Sequence, residues 1–333
     1  MPTTDIREVT RMRFVTYNLL DLTLTADNLR EANRQRRVID TIRNLEPDVI
    51  AVQELKSPPA SAARLAAELA DRTGLTSTVA TNGSARAIHA VAVGDHTVHT
   101  ALLWRPGLTP LPHTFRTYSP AVHYHGGWRG IGYGSMVRLA FQIDGQPITF
   151  ASYHAPAYGR HRRIDQAEAV LAALTRPHEL ALIGSDFNSI GAARANGADY
   201  DPDPYTGRPW WPDLVHQCHE PTHPSQRHRA DRRPAQVWEA GGLHDVAAAT
   251  RSPWKATTGH WPTCPYGVRG IARRVDTIHA TQPVLRAVRS LTVVDNPTTR
   301  AASDHLPVTV DLDPRKLAVN PGEPARQAGQ RGR

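Results

Sequence analysis

The sequence predicts an α/β domain of mixed sheets, on three observations. Short apolar runs rich in β-branched residues recur along the chain, among them Val49-Ile50-Ala51-Val52 and Ile148-Thr149-Phe150-Ala151; such runs read as buried strands. Only a few stretches carry the spacing of an amphipathic helix. Asp144-Gly145 joins two of the strand-like runs and is a hairpin turn signal, so the chain is not a regular βαβ winding.

Each element can be justified in order. Residues 1–12 read as a loose leader, followed by a strand over about 13–19. Asp27 to Leu45 carries Leu29, Val38, Ile39, Ile42 and Leu45 near helical spacing, and Pro47 ends it. A second strand over 48–54 runs through Ser57-Pro58-Pro59 into an alanine-rich helix over about 60–72, with Gly74 where a C-terminal glycine belongs. A strand ends at Ala101-Leu102-Leu103-Trp104. Residues 106–134, rich in Pro, Gly, His and aromatics, read as a long loop. Strands are expected at 137–141 and 148–153, and a helix over 162–174 with Ile164, Ala167, Leu171 and Leu174 on one face. A strand follows at 180–185. Residues 189–235, rich in Pro, Gly and Arg without a clear period, read as an insertion. Strands return at about 274–281, 288–294 and 307–312. The stretch 314–333, with Pro314, Pro321, Gly322, Pro324, Gly329 and Gly332, reads as a disordered basic tail. No composition break divides 13–313, which is taken as one domain.

With 40% hydrophobic residues, the 333-residue chain can bury a sizeable core. No stretch approaches the roughly 18 apolar residues of a membrane helix. Met1 to Arg13 is charged and lacks the apolar segment of a secretory signal, which points to the cytoplasm. Cys218 and Cys264, the only cysteines, are too few for a disulfide framework and read as free thiols. The net charge of +8 invites a polyanion as partner. It is concentrated: the tail from Pro314 contributes +4, and Arg227 to Arg233 contributes +3, leaving +1 for everything else. Solvated basic surface and electrostatic guidance of a nucleic acid both fit that distribution.

Six polar signatures sit on or just after apolar runs: Asn18, Gln53-Glu54, His154, Asp186 with Asn188, Asp276, and Ser303-Asp304-His305. Acids and imidazoles at buried strand ends are unfavourable unless paired or bound to a cation. Six of them suggest one site assembled from many strands.

Ser303-Asp304-His305-Leu306-Pro307-Val308, Asp186-Phe187-Asn188, Gln53-Glu54 and Arg274-Val275-Asp276, in their chain order, resemble the endonuclease/exonuclease/phosphatase superfamily. The resemblance spans roughly 13–312. It implies a four-layer sandwich, two mixed β-sheets face to face with helices outside, and a site where strand ends converge. It also implies Mg²⁺-dependent hydrolysis of a phosphoester, with Mn²⁺ as a substitute and DNA or RNA as the expected substrate. A small-molecule or lipid phosphoester is the alternative, and a non-catalytic binding module on the same fold is a third reading. One departure is Ser185, where the family usually has glycine directly before the aspartate; Gly184 stands one residue earlier.

The residue types suit the chemistry. Glu54 offers a hard carboxylate to Mg²⁺, with Asp304 as a second acid and Asn18 as a carboxamide that ligates metal or holds phosphate. Asp186 is the candidate to orient and deprotonate water. Asn188 is expected to hold a phosphoryl oxygen or to close an Asx turn. Asp276 and His305 form the expected carboxylate–imidazole pair. His154 is a candidate to protonate the leaving oxygen, or alternatively to contact phosphate or fix a loop. His260 and Trp261, shortly before Asp276, are further substrate-contact candidates. Weaker signals are a zinc reading of Cys218-His219 with His223 and His228, the loop pair His123 and His125, and base-stacking aromatics: Tyr118, Tyr124, Trp128, Tyr133, Trp210, Trp211 and Trp254.

Overall fold

A computed structural model describes residues 11–81, 87–94, 97–119, 134–176, 178–207, 214–219, 228–261 and 270–317. The first part of the chain forms β1 (Met12–Leu22), α1 (Leu29–Leu45), β2 (Val49–Lys56), α2 (Ala62–Thr73), β3 (Thr78–Thr81), β4 (Ala87–His89), β5 (Val91–Ala92), β6 (Val98–Trp104) and β7 (Thr109–Tyr118). The middle forms β8 (Ser135–Ile143), β9 (Gln146–His154), α3 (Arg160–Leu174), β10 (Ala181–Asp186), β11 (Arg194–Ala195), β12 (Ala198–Asp199), α4 (Leu214–Gln217) and α5 (Arg233–Ala240). The last part forms β13 (Leu243–Asp245), α6 (Val246–Ala249), β14 (Asp276–Thr281), α7 (Gln282–Leu285), β15 (Val288–Val293), α8 (Pro297–Ala302) and β16 (Val308–Leu312).

Local chemistry sets the element ends. The Asn28 side chain accepts the Glu31 N–H and caps α1, and Glu46 leaves the helix in the left-handed region before Pro47. Gly74 adopts φ 74° after α2, the conformation glycine reaches without a Cβ clash. Asp144 and Gly145 both take positive φ in the β8–β9 hairpin, as a type I′ turn requires.

Two six-stranded sheets carry the fold, in the orders β15-β16-β1-β2-β6-β5 and β13-β14-β10-β9-β8-β7. Both are mixed. Strands β1 and β2 run parallel in the first, β9 and β10 in the second, and the other pairs are antiparallel. The inner faces meet in one core, where the rings of Phe14 of β1 and Phe150 of β9 meet at a tilt, 5.0 Å between centroids. Helices α1 and α2 cover the outer face of the first sheet through Val38, Ile42, Leu65 and Leu69. Helices α3 and α5 cover the second through Ala167, Val170 and Trp238. The result is the expected four-layer α/β sandwich.

The sheets approach closely at Gly184: a Cβ there would lie 2.7 Å from the Thr16 Cβ and 3.0 Å from the Ala51 Cβ. Ser185 points to the other face, where its hydroxyl meets the Thr277 hydroxyl at 3.1 Å. The serine therefore leaves the tight inter-sheet contact to Gly184.

Three expectations are corrected. Residues 109–118 of the presumed loop form β7, an edge strand. The described part of the 189–235 stretch is ordered, with the β11–β12 hairpin, α4 and the start of α5. The presumed leader already contains Met12, the first residue of β1, and the tail begins later than Pro314, because Pro314–Leu317 form a 3₁₀ turn with Leu317 buried. Residues 1–10, His123, Tyr124, His125, Trp128, Tyr133, Trp210, Trp211, His223, Cys264 and residues 318–333 lie outside the described residues. No helix among the described residues is long and apolar enough to cross a membrane.

Candidate active site

Topology brings the polar signatures to one end of the sandwich. In each sheet a parallel pair points its C-terminal halves the same way: Asn18 and Glu54 in the C-terminal halves of β1 and β2, His154 and Asp186 at the ends of β9 and β10. The antiparallel strands β14 and β16 start at that same end, which brings Asp276 opposite Asp186 and the Ser303–His305 loop beside β1. In the second sheet His154, Asp186 and Asp276 lie side by side in one cross-strand row. Residues in such a row share a face.

In the first sheet, Thr16 and Asn18 of β1 and Ala51 and Gln53 of β2 follow the alternation that faces the second sheet. Gln53 is spent there: its amide donates to Ser152 Oγ at 3.1 Å and Thr16 Oγ1 at 3.2 Å, tying the sheets together. Regular alternation would turn Glu54 to the opposite face. A bulge corrects this. Register slips between Val52 and Leu55 and between Asn18 and Leu22, and Glu54 takes φ 61°. A left-handed glutamate is uncommon and strained. Here it re-aims the carboxylate, which bulges often do beside active sites.

Asp186 is the hub. Its Oδ2 accepts from Asn18 Nδ2 at 2.9 Å, lies 3.5 Å from His154 Nε2 and 4.0 Å from His305 Nε2. Its Oδ1 accepts the Asn188 N–H at 3.1 Å in an Asx turn. Asn188 takes φ 46°, and its Nδ2 donates to the Ala155 carbonyl at 3.0 Å, clamping the ends of β9 and β10. Asn18 Nδ2 also donates to Glu54 Oε1 at 2.9 Å, while Asn18 Oδ1 accepts the Leu20 N–H. The amide therefore presents N–H, not oxygen, to the two acids. Glu54 Oε2 accepts the Asp21 N–H at 3.0 Å.

His305 Nδ1 meets Asp276 Oδ2 at 2.8 Å. An ionised carboxylate only accepts, so Nδ1 carries the proton of that bond. Nε2 is then the nitrogen on the Asp186 side. Two hydroxyls fix the pair. Thr257 Oγ1 accepts the Asp276 N–H at 3.1 Å, and Ser303 Oγ donates to the Asn18 carbonyl at 2.9 Å while accepting the His305 N–H.

Electrostatics follow from burial and neighbours. Asp186 is 2% exposed, and burial pushes its carboxyl above the usual carboxylate range; nearby Asp276 and Glu54 add to this, while His305 and His154 oppose it. Burial by itself would disfavour a charged His305. The charges of Asp276, Asp186 and Asp304 and the Asp276 hydrogen bond outweigh it and hold the imidazole well above its ordinary pKa.

Two groups of metal-competent side chains share Asp186: Glu54 with His154, and Asp276 with His305, the ligand atoms of each group lying within 4.8 Å of one another. A carboxylate-rich set with one imidazole fits a hard divalent cation of the Mg²⁺ or Mn²⁺ type. A cleft of about 230 Å³ opens over these residues, and Asp304 and Asn188 line it.

The structure thus gathers Asn18, Glu54, His154, Asp186, Asn188, Asp276, Asp304 and His305. His260 and Trp261 do not line the cleft: His260 Nε2 meets the Ser303 carbonyl at 2.9 Å, and the Trp261 indole donates to the Arg300 carbonyl. Arg274 also leaves the site and is clamped between Asp201 and Asp245. Cys218 is buried with its thiol pushed up to about 12 by desolvation, which suits a core residue better than a zinc ligand. Tyr158, His216, Gln217, Thr258 and Arg273 line the cleft without having been singled out as contacts. Arg273, directly before the Arg274-Val275-Asp276 string, and Thr258, just before His260 and Trp261, were legible by position.

These features place a cluster of acids, amides and imidazoles that could hold a metal ion at one end of a four-layer sandwich. A model of the Endonuclease/Exonuclease/phosphatase family matches residues 15–305, and the chain belongs to that family. Solved structures of the same fold include a family protein from Bacteroides thetaiotaomicron at 14% identity, with 91% of this chain and 95% of that one covered and a TM-score of 0.55. An AP endonuclease from Archaeoglobus fulgidus matches at 16% identity, 91% and 99% coverage and a TM-score of 0.54. A 3′ phosphatase from Neisseria bound to a product DNA hairpin matches at 16% identity, 91% and 99% coverage and a TM-score of 0.53. No curated protein matches the sequence at a significant level.

Proposed function

We propose that the protein is a Mg²⁺-dependent phosphodiesterase that cleaves nucleic acid. The convergence of Glu54, His154, Asp186 and His305 on a single cleft, with Asp276 buried against His305, carries the reading. The DNA bound to the Neisseria 3′ phosphatase and the AP endonuclease activity of the archaeal protein point the same way.

Glu54, with Asp304 on the cleft wall and Asn18 bracing its carboxylate, would hold the cation. A bound divalent ion supplies charge neutralisation at the phosphoryl and leaving oxygens. The rest is the work of the chain. Asp186, raised by burial, orients a water and accepts its proton. Asp276 holds the His305 Nδ1–H, so Nε2–H faces the phosphoryl oxygens, and the second Asn188 amide hydrogen serves the same oxygens. His154, 3.5 Å from Asp186, gives a proton to the departing oxygen.

The near-neutral body, +1 outside two basic segments, favours a second reading: hydrolysis of a small or lipid phosphoester. A panel of plasmid, single-stranded oligonucleotide, RNA and small phosphate esters, each with Mg²⁺ and with EDTA, separates the two. Cleavage of nucleic acid that EDTA abolishes is expected. Turnover of small esters alone would overturn the nucleic-acid assignment, and EDTA-insensitive turnover would overturn the cation.

A further inference from the structure

One wall of the cleft is aromatic. Tyr158, in the turn between β9 and α3, and His216, on α4, both line it, with ring centroids 5.1 Å apart and planes at 87°. In a perpendicular pair one edge meets one face, so the two rings leave most of their flat surface uncovered by each other. Tyr158 is 43% exposed. Of the large hydrophobic side chains left exposed to this degree among the described residues, it is the one that lines the cleft.

The backbone that carries both rings is tied by one buried cation. Arg163 of α3, 1% exposed, donates through Nη1 to the carbonyls of Pro156 at 3.3 Å and Ala157 at 3.1 Å, and through Nη2 to the carbonyl of His216. Gln217 Nε2 adds a bond to the Ala157 carbonyl at 3.2 Å, and the Gln217 carbonyl accepts the Asp231 N–H at 2.9 Å. The start of the turn is tied to the hub: the Ala155 N–H donates to the Asp186 carbonyl at 2.9 Å, and the Ala155 carbonyl accepts from Asn188 Nδ2. Taking a guanidinium out of water is unfavourable, and here its hydrogen bonds lock two separate segments together. A tyrosine that merely sits at the surface needs no such frame.

Chemistry separates this ring from the phosphate position. Glu54, His154, Asp186, Asn188 and His305 suit a cation and a phosphoryl group, whereas an aromatic face is the negative side of the ring quadrupole and repels an anion. Tyr158 lies three residues beyond Ala155, so their Cα atoms are at most about 11 Å apart. The cleft they overlook holds about 230 Å³. A ligand whose phosphate sits at Asp186 and His305 therefore brings the group it carries against Tyr158.

We propose that Tyr158 stacks on the nucleobase next to the scissile phosphate, with His216 as its perpendicular support, and so selects phosphoesters that carry an aromatic ring. Every base has a π face, so stacking favours nucleotides without reading their sequence. The assignment deepens the nucleic-acid reading above and rests on it for the identity of the ring. It makes Tyr158 a specificity residue that acts on binding more than on turnover.

Binding is measured apart from hydrolysis, by calorimetry in Mg²⁺ with adenosine 5′-monophosphate and with ribose 5-phosphate, which share phosphate and sugar and differ in the base. The wild type is expected to bind the nucleotide about 5- to 150-fold more tightly, the range that stacking of one base supplies. Tyr158→Ala should bring the two affinities together by lowering that of the nucleotide. Tyr158→Phe keeps the ring and should keep the preference. Tyr158→Leu keeps apolar bulk without a ring; it should lose most of the preference, and it carries the test if the alanine variant does not fold. A wild type without the preference, an alanine variant that keeps it, or a phenylalanine variant that loses it would overturn the stacking role. Loss of affinity for both ligands alike would also overturn it, because that reports damage to the cleft. Oligonucleotide cleavage is followed in the same preparations. The preference without cleavage refutes the nuclease reading and leaves the stacking role standing; cleavage without the preference does the reverse.

Discussion

At the residue scale the site is a compromise between chemistry and stability. Asp186 is a buried acid held by Asn18 and Asn188, with its carboxyl raised by desolvation. Removing its charge relieves a desolvation cost and deletes the group that handles the water. Asp186→Asn is therefore expected to lower kcat by about 10²- to 10⁴-fold, with at most a small fall in the thermal midpoint, because relief of the desolvation cost is offset by the new NH₂ meeting one of the two N–H donors the carboxylate accepts. Activity assays beside a thermal melt check both halves, and unchanged hydrolysis removes Asp186 from the mechanism. The eight residues that gather at the cleft were all legible, because acids and imidazoles at strand ends are conspicuous. What was illegible was orientation. Nothing in Gln53-Glu54 says that the glutamine braces the sheets while the glutamate, through a left-handed backbone, turns to the cleft. Nor does the sequence say which side of the Asn18 amide faces the acids. His260 and Trp261 were nominated by proximity in sequence to Asp276; their ring nitrogens meet the Ser303 and Arg300 carbonyls instead of lining the cleft.

At the element scale, strands with strong apolar runs were found because burial on both faces leaves a plain signature. Strand β7 was not. It contains Pro110 and Pro112 and pairs only with β8 at the sheet edge, where a missing N–H is tolerated and exposed residues erase the alternation. The elements at the β14 end are held by charge as well as packing. Arg274, buried under the cleft, bridges Asp201 from the 199–203 loop and Asp245, which caps α6 through the Ala247 and Ala248 N–H groups. Burial opposes a charged Asp245, yet the Arg274 charge and these hydrogen bonds prevail and hold its carboxyl below the usual range. The sign follows. A depressed carboxylate contributes stability above the unfolded value of about 3.9, and loses it as pH falls through the lower folded value. Urea titrations between pH 5 and pH 3 should show wild-type stability declining more steeply than that of Asp245→Asn. At pH 7 that variant should be less stable by about 3 to 5 kcal/mol, because Arg274 loses a buried partner. Parallel pH slopes in the two proteins would show that the triad does not govern acid stability.

At the scale of the whole molecule, charge and fold are arranged separately. The sandwich body is nearly neutral, and the excess positive charge lies in Arg227–Arg233 and the C-terminal stretch. A site that works on a polyanion with a nearly neutral remainder gains encounter rate from such basic segments, and that gain is screened by salt. Truncation after Leu317 tests this. It spares the 3₁₀ turn and the buried Leu317, and it removes Arg326, Arg331 and Arg333 together with Glu323, a net +2. Each cation that neutralises a phosphate of a single strand contributes about 0.7 to the slope of log affinity against log salt. The slope of log kcat/KM for a single-stranded oligonucleotide should therefore become shallower by up to about 1.4. Turnover of a small phosphate ester should not change, since the catalytic cluster draws no residue from that segment. Equal slopes for the full and truncated chains would mean the tail does not guide substrate, leaving the Arg227–Arg233 segment to account for any preference for nucleic acid.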